Sequence, residues 1–106
     1  MKVGIDLVQI SRIRDLMEKK ETMKRIFHVS EITDDPESLA GIFAAKEAYF
    51  KAIGKKKNWL DIEIKKEKKE GKPYIISDKK ERINLSITHE GDYAAAIVII
   101  EDENSN

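Results

Sequence analysis

The segment 93–100 constrains the fold more than any other part of the chain, because as a strand it would be apolar on both faces. One face would carry Ala94, Ala96, Val98 and Ile100, and the other would carry Ala95, Ile97 and Ile99. Both faces then need cover, and a chain of 106 residues has few helices to provide it. We therefore expect this segment to be a central strand of one sheet, or to have one face covered by another subunit.

The first third of the chain is predicted to be a strand followed by two short helices. Alternating apolar residues predict a strand at 2–10. Apolar residues at helical spacing then predict a helix at 11–20, with Ser11 as its cap, and a second short helix at 22–27.

A long helix and four strands are predicted for the remainder. The helix has Asp35 as N-cap and Pro36 in its first turn, runs to about Ile53 and is closed by Gly54. Strands are predicted at 59–67, 74–76, 82–89 and 93–100, with turns at 70–73 and 89–92. This order indicates an α+β fold, an antiparallel sheet packed against one long helix and shorter helices. We expect a single domain over residues 1–100 and a disordered tail at 101–106.

Composition excludes several classes of function. Lys+Arg and Asp+Glu number 20 each, so net charge indicates neither a nucleic-acid partner nor a membrane partner. The absence of cysteine excludes a disulfide framework, a Cys-ligated metal site and a thiol nucleophile. The longest apolar run is too short to span a bilayer, and no signal peptide is visible. A cytoplasmic location is the simplest expectation.

Four charged side chains stand where a core would be apolar. Asp6 interrupts an apolar strand and needs a partner, a metal or an opening to solvent, although a strand-end aspartate that caps a neighbouring loop is the simpler interpretation. Lys46 falls in the middle of the apolar stripe of the long helix, with Glu47 at its edge and Lys51 four residues later. The alternatives are a surface pair between Glu47 and Lys51, and a Lys46 stem that is buried while its amine reaches water.

His89 continues the apolar face of its strand, where a hydrogen-bonded structural histidine is the simpler interpretation. Two carboxylates on different elements, Asp6 and Glu47, nevertheless suit a hard cation that keeps several waters and takes phosphate oxygens, which describes Mg²⁺. A nearby lysine and histidine suit phosphate charge. No Walker A or GxGxxG loop is present, so these residues alone predict only a magnesium–phosphate site.

Several segments together resemble the holo-[acyl-carrier-protein] synthase family. They are VGIDLV at 3–8, LAGIFAAKEAYFKAIG at 39–54, DIEI at 61–64, GKPY at 71–74, LSITH at 85–89 and YAAA at 93–96. They occur in the family's order and span nearly the whole chain. The FAxKEAxxKAxG pattern of the long helix is the specific signal, whereas GKP or SxTH alone would be weak.

The resemblance implies a 4′-phosphopantetheinyl transferase fold and a homotrimer with active sites between subunits. It implies transfer of the phosphopantetheine arm of coenzyme A to a serine of apo acyl carrier protein, with adenosine 3′,5′-bisphosphate as leaving group. Asp6 and Glu47 match the family's magnesium-binding acids, and Lys51 matches the lysine beside the diphosphate; these three are the expected catalytic residues. The expected coenzyme A contacts are His89, Lys46, Ser86, Thr88, Gly71, Lys72, Pro73 and Gly54.

The resemblance also implies an acidic carrier protein bound by basic residues of the first helix. Between residues 12 and 25, six basic side chains outnumber three acidic ones, which would steer an acidic partner. Arg12, Arg14 and Lys19 are the expected contacts, and a solvated helix face is the alternative for each of them.

The chain departs from the family pattern after Gly54, where Lys55, Lys56 and Lys57 stand in place of a glycine-rich loop. The stretch between Pro73 and the SITH strand is also short, on the adenine side of the expected pocket. These departures leave a second hypothesis, a non-catalytic module that binds coenzyme A or the carrier protein. A third, a small RNA-binding domain with a basic patch, lacks a recognised motif, and the aromatic residues are too scattered for a stacking platform.

Overall fold

The computed structural model of the protein describes residues 1–102 and has an α+β fold, as predicted. In chain order its elements are β1 (Lys2–Gln9), α1 (Ile10–Met17), α2 (Lys20–Ile26), a first 3-10 turn (Val29–Glu31), α3 (Pro36–Ile53), a second 3-10 turn (Trp59–Asp61), β2 (Ile62–Lys66), β3 (Pro73–Ser77), β4 (Arg82–Glu90) and β5 (Tyr93–Glu101). No helix within the described part of the chain is long and apolar enough to cross a membrane.

Several predicted element boundaries are wrong. The helix predicted at 11–20 ends at Met17, and the one predicted at 22–27 is Lys20–Ile26. The first helix begins at Ile10, and Ser11 does not cap it; the Ile10 N–H donates instead to the Asp92 carbonyl in the β4–β5 turn, at 2.8 Å. The strand predicted from residue 59 begins at Ile62, because residues 59–61 form a 3-10 turn. The Asn58 side chain accepts from the Leu60 N–H at the start of that turn.

The boundary predicted between the domain and its tail, after residue 100, also changes. Glu101 is the last residue of β5 and pairs in register with Arg82 of β4. Residues 103–106, the rest of the predicted tail, lie outside the described residues.

The strand β5 is the central strand of its sheet, which confirms the first of the two expectations for segment 93–100. The main sheet has the order β1-β5-β4 with antiparallel neighbours, and β2 and β3 form a separate two-stranded sheet. The inner face of β5 is buried and lies on the side of α3, whereas its outer face carries Ile97, which is 37% exposed. The neighbouring outer-face residues of β1, Ile5 and Leu7, are 63% and 64% exposed. The outer face of β1 and β5 is therefore apolar and largely uncovered within the described chain.

Helix α3 begins and ends where its flanking residues predict. The Asp35 side chain accepts from the Glu37 N–H at 3.2 Å, and Pro36 occupies the first turn. Gly54 ends the helix in the left-handed conformation, with φ 79°. Between these ends, α3 packs on β1 at very short range: a Cβ built on Gly4 would lie 1.9 Å from the Ala48 carbonyl oxygen. The glycine thus allows β1 to bring its next inward residue, Asp6, against α3.

Replacing Gly54 by Ala is expected to lower the free energy of unfolding by about 1–2 kcal/mol, because an L-residue with a Cβ is strained at positive φ. Nothing lies within 4 Å of an added Cβ there, so the cost comes from the backbone alone. Urea unfolding at fixed protein concentration measures it. Gly54→Asn is the matched control and should lose less, since Asn tolerates this conformation. An Ala variant as stable as wild type would contradict the assignment.

Candidate active site

Asp6 lies on the inner face of β1 beside the last turns of α3, with its side chain 13% exposed. Its Oδ1 accepts from the Lys51 Nζ at 3.0 Å, and the same ammonium donates to the Ile5 carbonyl at 3.1 Å. Among the described residues the aspartate is therefore partnered by a lysine, and no backbone N–H of a loop donates to it. It remains close enough to solvent to receive a ligand.

Glu47 lies on α3 one helical turn before Lys51, and its side chain is 23% exposed. The surface pair considered between Glu47 and Lys51 is not formed among the described residues. Lys51 contacts Asp6, and the Lys56 Nζ lies 3.4 Å from the Glu47 Oε1. Residues four apart lie on one helix face, so the Lys51 contact brings Asp6 to the same face of α3 as Glu47.

The donor set at this position fits a magnesium ion. Two partly exposed carboxylates leave most coordination positions to water and to phosphate oxygens, which is how Mg²⁺ is usually bound. Residues 1–102 contain no group of three or more metal-ligating side chains. An ion that requires a complete set of protein ligands would therefore find no such set in this part of the chain.

Lys46 is a structural residue of the core. Its side chain has 0% exposure, and its ammonium donates to the Ile26 carbonyl (2.7 Å), the Glu31 carboxylate (2.8 Å) and the Trp59 carbonyl (3.2 Å). Burial lowers the pKa of Lys46, and the hydrogen bond to Glu31 opposes that shift. All three donors are used within the chain. The predicted contact to coenzyme A is therefore not supported, and the alternative in which the amine reaches water is wrong.

Glu31, the partner of Lys46, was missed by the sequence analysis. Its carboxylate is buried and also accepts from the His28 N–H at 2.8 Å and the Ile64 N–H at 2.7 Å. The network joins α3, the first 3-10 turn and β2. The available signal was indirect: a lysine in the middle of an apolar stripe requires a buried acid, and nothing local indicates which one.

His89 and the Gly71–Pro73 turn lie together near the N-terminal end of α3, away from Glu47 and Lys51. His89 lies on the inner face of β4 with its Nδ1 3.6 Å from the Glu37 carboxylate. A cavity of about 250 Å³ is lined by His89, Gly71, Pro73, Ser38 and Lys66, among others. The structure thus brings together three of the predicted coenzyme A contacts, while Lys72 is an exposed residue of the same turn.

Ser86 and Thr88 do not join that cavity. They alternate with His89 along β4 and lie on the outer face, where they line a depression of about 200 Å³ with Ile5 and Ile97. Within one chain these residues therefore lie on the opposite side of the sheet from His89.

The two halves of the predicted site are also separated along α3. His89 contacts Glu37 in the first turn of α3. Glu47 follows Glu37 by ten residues, which corresponds to about 15 Å along the helix. Gly54, another expected coenzyme A contact, lies at the far end of α3, on the side of Glu47. One chain therefore provides the carboxylates and the histidine at separate positions.

The side of α1 that carries Arg12 and Asp15 adjoins Glu47. A groove of about 410 Å³ is lined by Arg12, Lys19, Phe43, Glu47, Lys56 and Trp59, among others. The Arg12 guanidinium lies 5.4 Å from the centre of the Phe43 ring. Two of the three predicted carrier contacts thus open onto the groove, and Arg14 is exposed outside it.

Comparison with known proteins assigns this chain and its fold to a class. The model of the 4′-phosphopantetheinyl transferase superfamily matches residues 2–98 of the chain. A holo-[acyl-carrier-protein] synthase from Geobacillus sp. (strain WCH70) is 45% identical, over 93% of this chain and 94% of the relative. The protein therefore belongs to the holo-[acyl-carrier-protein] synthase family, as its sequence motifs indicated.

Solved structures agree with this assignment. A crystal structure of a holo-(acyl-carrier-protein) synthase from Bacillus anthracis str. Ames, in complex with CoA (3',5'-ADP), superposes with a TM-score of 0.85 at 34% identity and 96% coverage of both chains. The Helicobacter pylori holo-[acyl-carrier-protein] synthase in complex with coenzyme A has a TM-score of 0.83 at 34% identity, covering 93% of this chain and 99% of that one.

Proposed function

We propose that this protein transfers the 4′-phosphopantetheine moiety of coenzyme A to a serine of apo acyl carrier protein, giving holo carrier protein and adenosine 3′,5′-bisphosphate. The observation that carries the proposal is the contact of Asp6 with Lys51, which lies on α3 four residues after Glu47, in a chain whose relatives are holo-[acyl-carrier-protein] synthases. We further propose that the reaction requires Mg²⁺ bound by Asp6 and Glu47, and that it takes place in the cytoplasm.

In this proposal, residues of the chain position the reacting groups and neutralise the charge of the diphosphate. Bound Mg²⁺ would supply charge neutralisation at the diphosphate, on which phosphoryl-type transfers chiefly depend. The Lys51 ammonium is half exposed beside Asp6, where it can donate to the departing phosphate. The carrier serine must lose a proton as it attacks the phosphorus next to the pantetheine arm. Glu47, which lines the groove together with Arg12 and Lys19, is the candidate base of this chain.

A mass measurement tests the proposal against both alternatives. Apo carrier protein is incubated with the protein, coenzyme A and Mg²⁺, and its intact mass is then determined. We expect a phosphopantetheine adduct. Coenzyme A binding without any adduct would favour the non-catalytic module. Salt-sensitive retention of RNA, with no interaction with the carrier, would favour the RNA-binding domain.

We also propose a homotrimer in which each active site combines residues of two subunits. Two features support it: the exposed apolar outer face around Ile5, Leu7 and Ile97, and the separation of His89 from Glu47 along α3. A second copy of the chain would cover this apolar face. It would also bring its His89 to the Asp6 and Glu47 carboxylates of its neighbour. Ser86 and Thr88, on the same outer face, would then lie at or near the interface.

Mixing two inactive variants tests the shared site. His89→Ala and Glu47→Ala should each transfer poorly alone, and mixed trimers formed by unfolding and refolding them together should regain part of the activity. The reason is that some interfaces then combine an intact His89 with an intact Glu47. Sedimentation of the wild type at the mass of three chains is the accompanying measurement. A monomer, or a mixture that regains nothing, would contradict the assembly.

A further inference from the structure

Lys56 occupies an unusual position next to Glu47. Its ammonium lies 3.4 Å from the Glu47 carboxylate and 4.6 Å from the centre of the Trp59 indole. It belongs to the stretch of lysines after Gly54, where the chain departs from the family pattern. The side chain itself is largely exposed, and these are the two contacts of its ammonium within residues 1–102.

The indole under Lys56 is held firmly. Trp59 stacks on Phe43 at 5.1 Å between ring centres and makes a T-shaped contact with Phe50 at 5.2 Å between ring centres. Its carbonyl accepts from the buried ammonium of Lys46. An ammonium over a fixed indole face is attracted by the ring's negative potential. The aromatic cluster therefore provides a binding position for the Lys56 ammonium next to the Glu47 carboxylate.

The two lysines of the site differ in what else they bind. Lys51 has the Ile5 carbonyl as a second acceptor, which keeps it in place if Asp6 takes up a metal. The contacts recorded for Lys56 in residues 1–102 are Glu47 and the Trp59 ring. A divalent ion on Glu47 would compete for the same oxygens and repel the ammonium. Lys56 can then leave toward the solvent, because its side chain is largely exposed.

We propose that Lys56 is a built-in counter-cation of Glu47, which a divalent metal ion displaces when it binds, and that Lys56 thereby weakens metal binding by the free enzyme. This inference rests on the proposed function in one respect, the assignment of Glu47 as a metal ligand. The displaced ammonium moves off the indole, so the exchange alters the surroundings of Trp59, the single tryptophan of the chain.

The test measures metal binding in the absence of coenzyme A and carrier protein. Wild type, Lys56→Met and the control Lys55→Met are titrated with Mn²⁺, followed by electron paramagnetic resonance, and with Mg²⁺, followed by Trp59 fluorescence. Methionine keeps an apolar stem over the indole and removes the charge. We expect Lys56→Met to bind Mn²⁺ about two- to fivefold more tightly than Lys55→Met, the range that one partly exposed ion pair supplies.

The fluorescence experiment gives an independent result. Mg²⁺ should change Trp59 emission in wild type and in Lys55→Met, and should leave it unchanged in Lys56→Met and in Glu47→Gln. Equal or weaker Mn²⁺ binding by Lys56→Met than by Lys55→Met would overturn the inference, as would absence of metal binding in all variants. The mass measurement separates the two proposals, since the exchange can be observed in a protein that transfers nothing. Transfer with unchanged metal affinity in Lys56→Met would remove this inference alone.

Discussion

Replacing Glu47 by Gln is expected to reduce the kcat of phosphopantetheine transfer roughly 10²- to 10³-fold, the cost typical of removing one preorganised electrostatic contact from a transition state. Gln preserves the shape of the side chain and the helix around it. It cannot supply the negative charge that holds a divalent ion or accept the serine proton. The rate should be measured at saturating coenzyme A and carrier protein with excess Mg²⁺.

The matched control is Glu21→Gln, which removes one carboxylate from α2 where the side chain is largely exposed and pairs only with Lys24 among the described ion pairs. It should leave kcat within about twofold, because exposed pairs contribute little. Circular dichroism must show that both variants fold. A folded Glu47→Gln enzyme with near wild-type kcat would remove Glu47 from the catalytic residues.

Replacing Lys46 by Met is expected to lower the free energy of unfolding by about 3–5 kcal/mol, the cost of breaking a buried ion pair by removing one partner. The loss arises because the Glu31 carboxylate would remain buried without its counter-charge. The Ile26 and Trp59 carbonyls would also lose their donor. Chemical denaturation, at one fixed protein concentration because assembly shifts apparent stability, measures the change.

The double variant Lys46→Met/Glu31→Gln is the informative comparison. Gln removes the stranded charge and keeps a carbonyl oxygen that can accept from the His28 or Ile64 N–H. We expect it to regain more than half of the lost stability, which would show that the buried charge, and not the lost packing of the lysine stem, dominates. A Lys46→Met protein less than about 1 kcal/mol below wild type would contradict the network.

Much of the candidate site could be predicted because the family's motif lies on one continuous helix. Glu47 and Lys51 are four residues apart, and helical periodicity alone places them on one face. Asp6 could be recognised as a carboxylate in an apolar strand, but its contact with Lys51 spans 45 residues of sequence. The very close approach of β1 to α3 at Gly4 makes that contact possible, and no local pattern reveals it.

The least predictable residues were those whose role depends on which other elements of the fold pack against them. Lys46 was expected at a phosphate or in water, and it is the centre of a buried network with Glu31. Ser86 and Thr88 were expected beside His89, and strand alternation places them on the other face of the sheet. The alternation itself is visible in the sequence, but which face lies on α3 is decided by packing.

The sequence by itself determined the helix that begins after Asp35 and ends at Gly54, the hairpin of β4 and β5, and the family, because caps, turns and motifs act over a few neighbouring residues. The tertiary structure alone decided that Lys46 pairs with Glu31, that Lys51 reaches Asp6 and that Lys56 sits over Trp59 beside Glu47. Such contacts join distant segments. They depend on how closely whole elements pack, a property of the folded chain that no short stretch of residues contains.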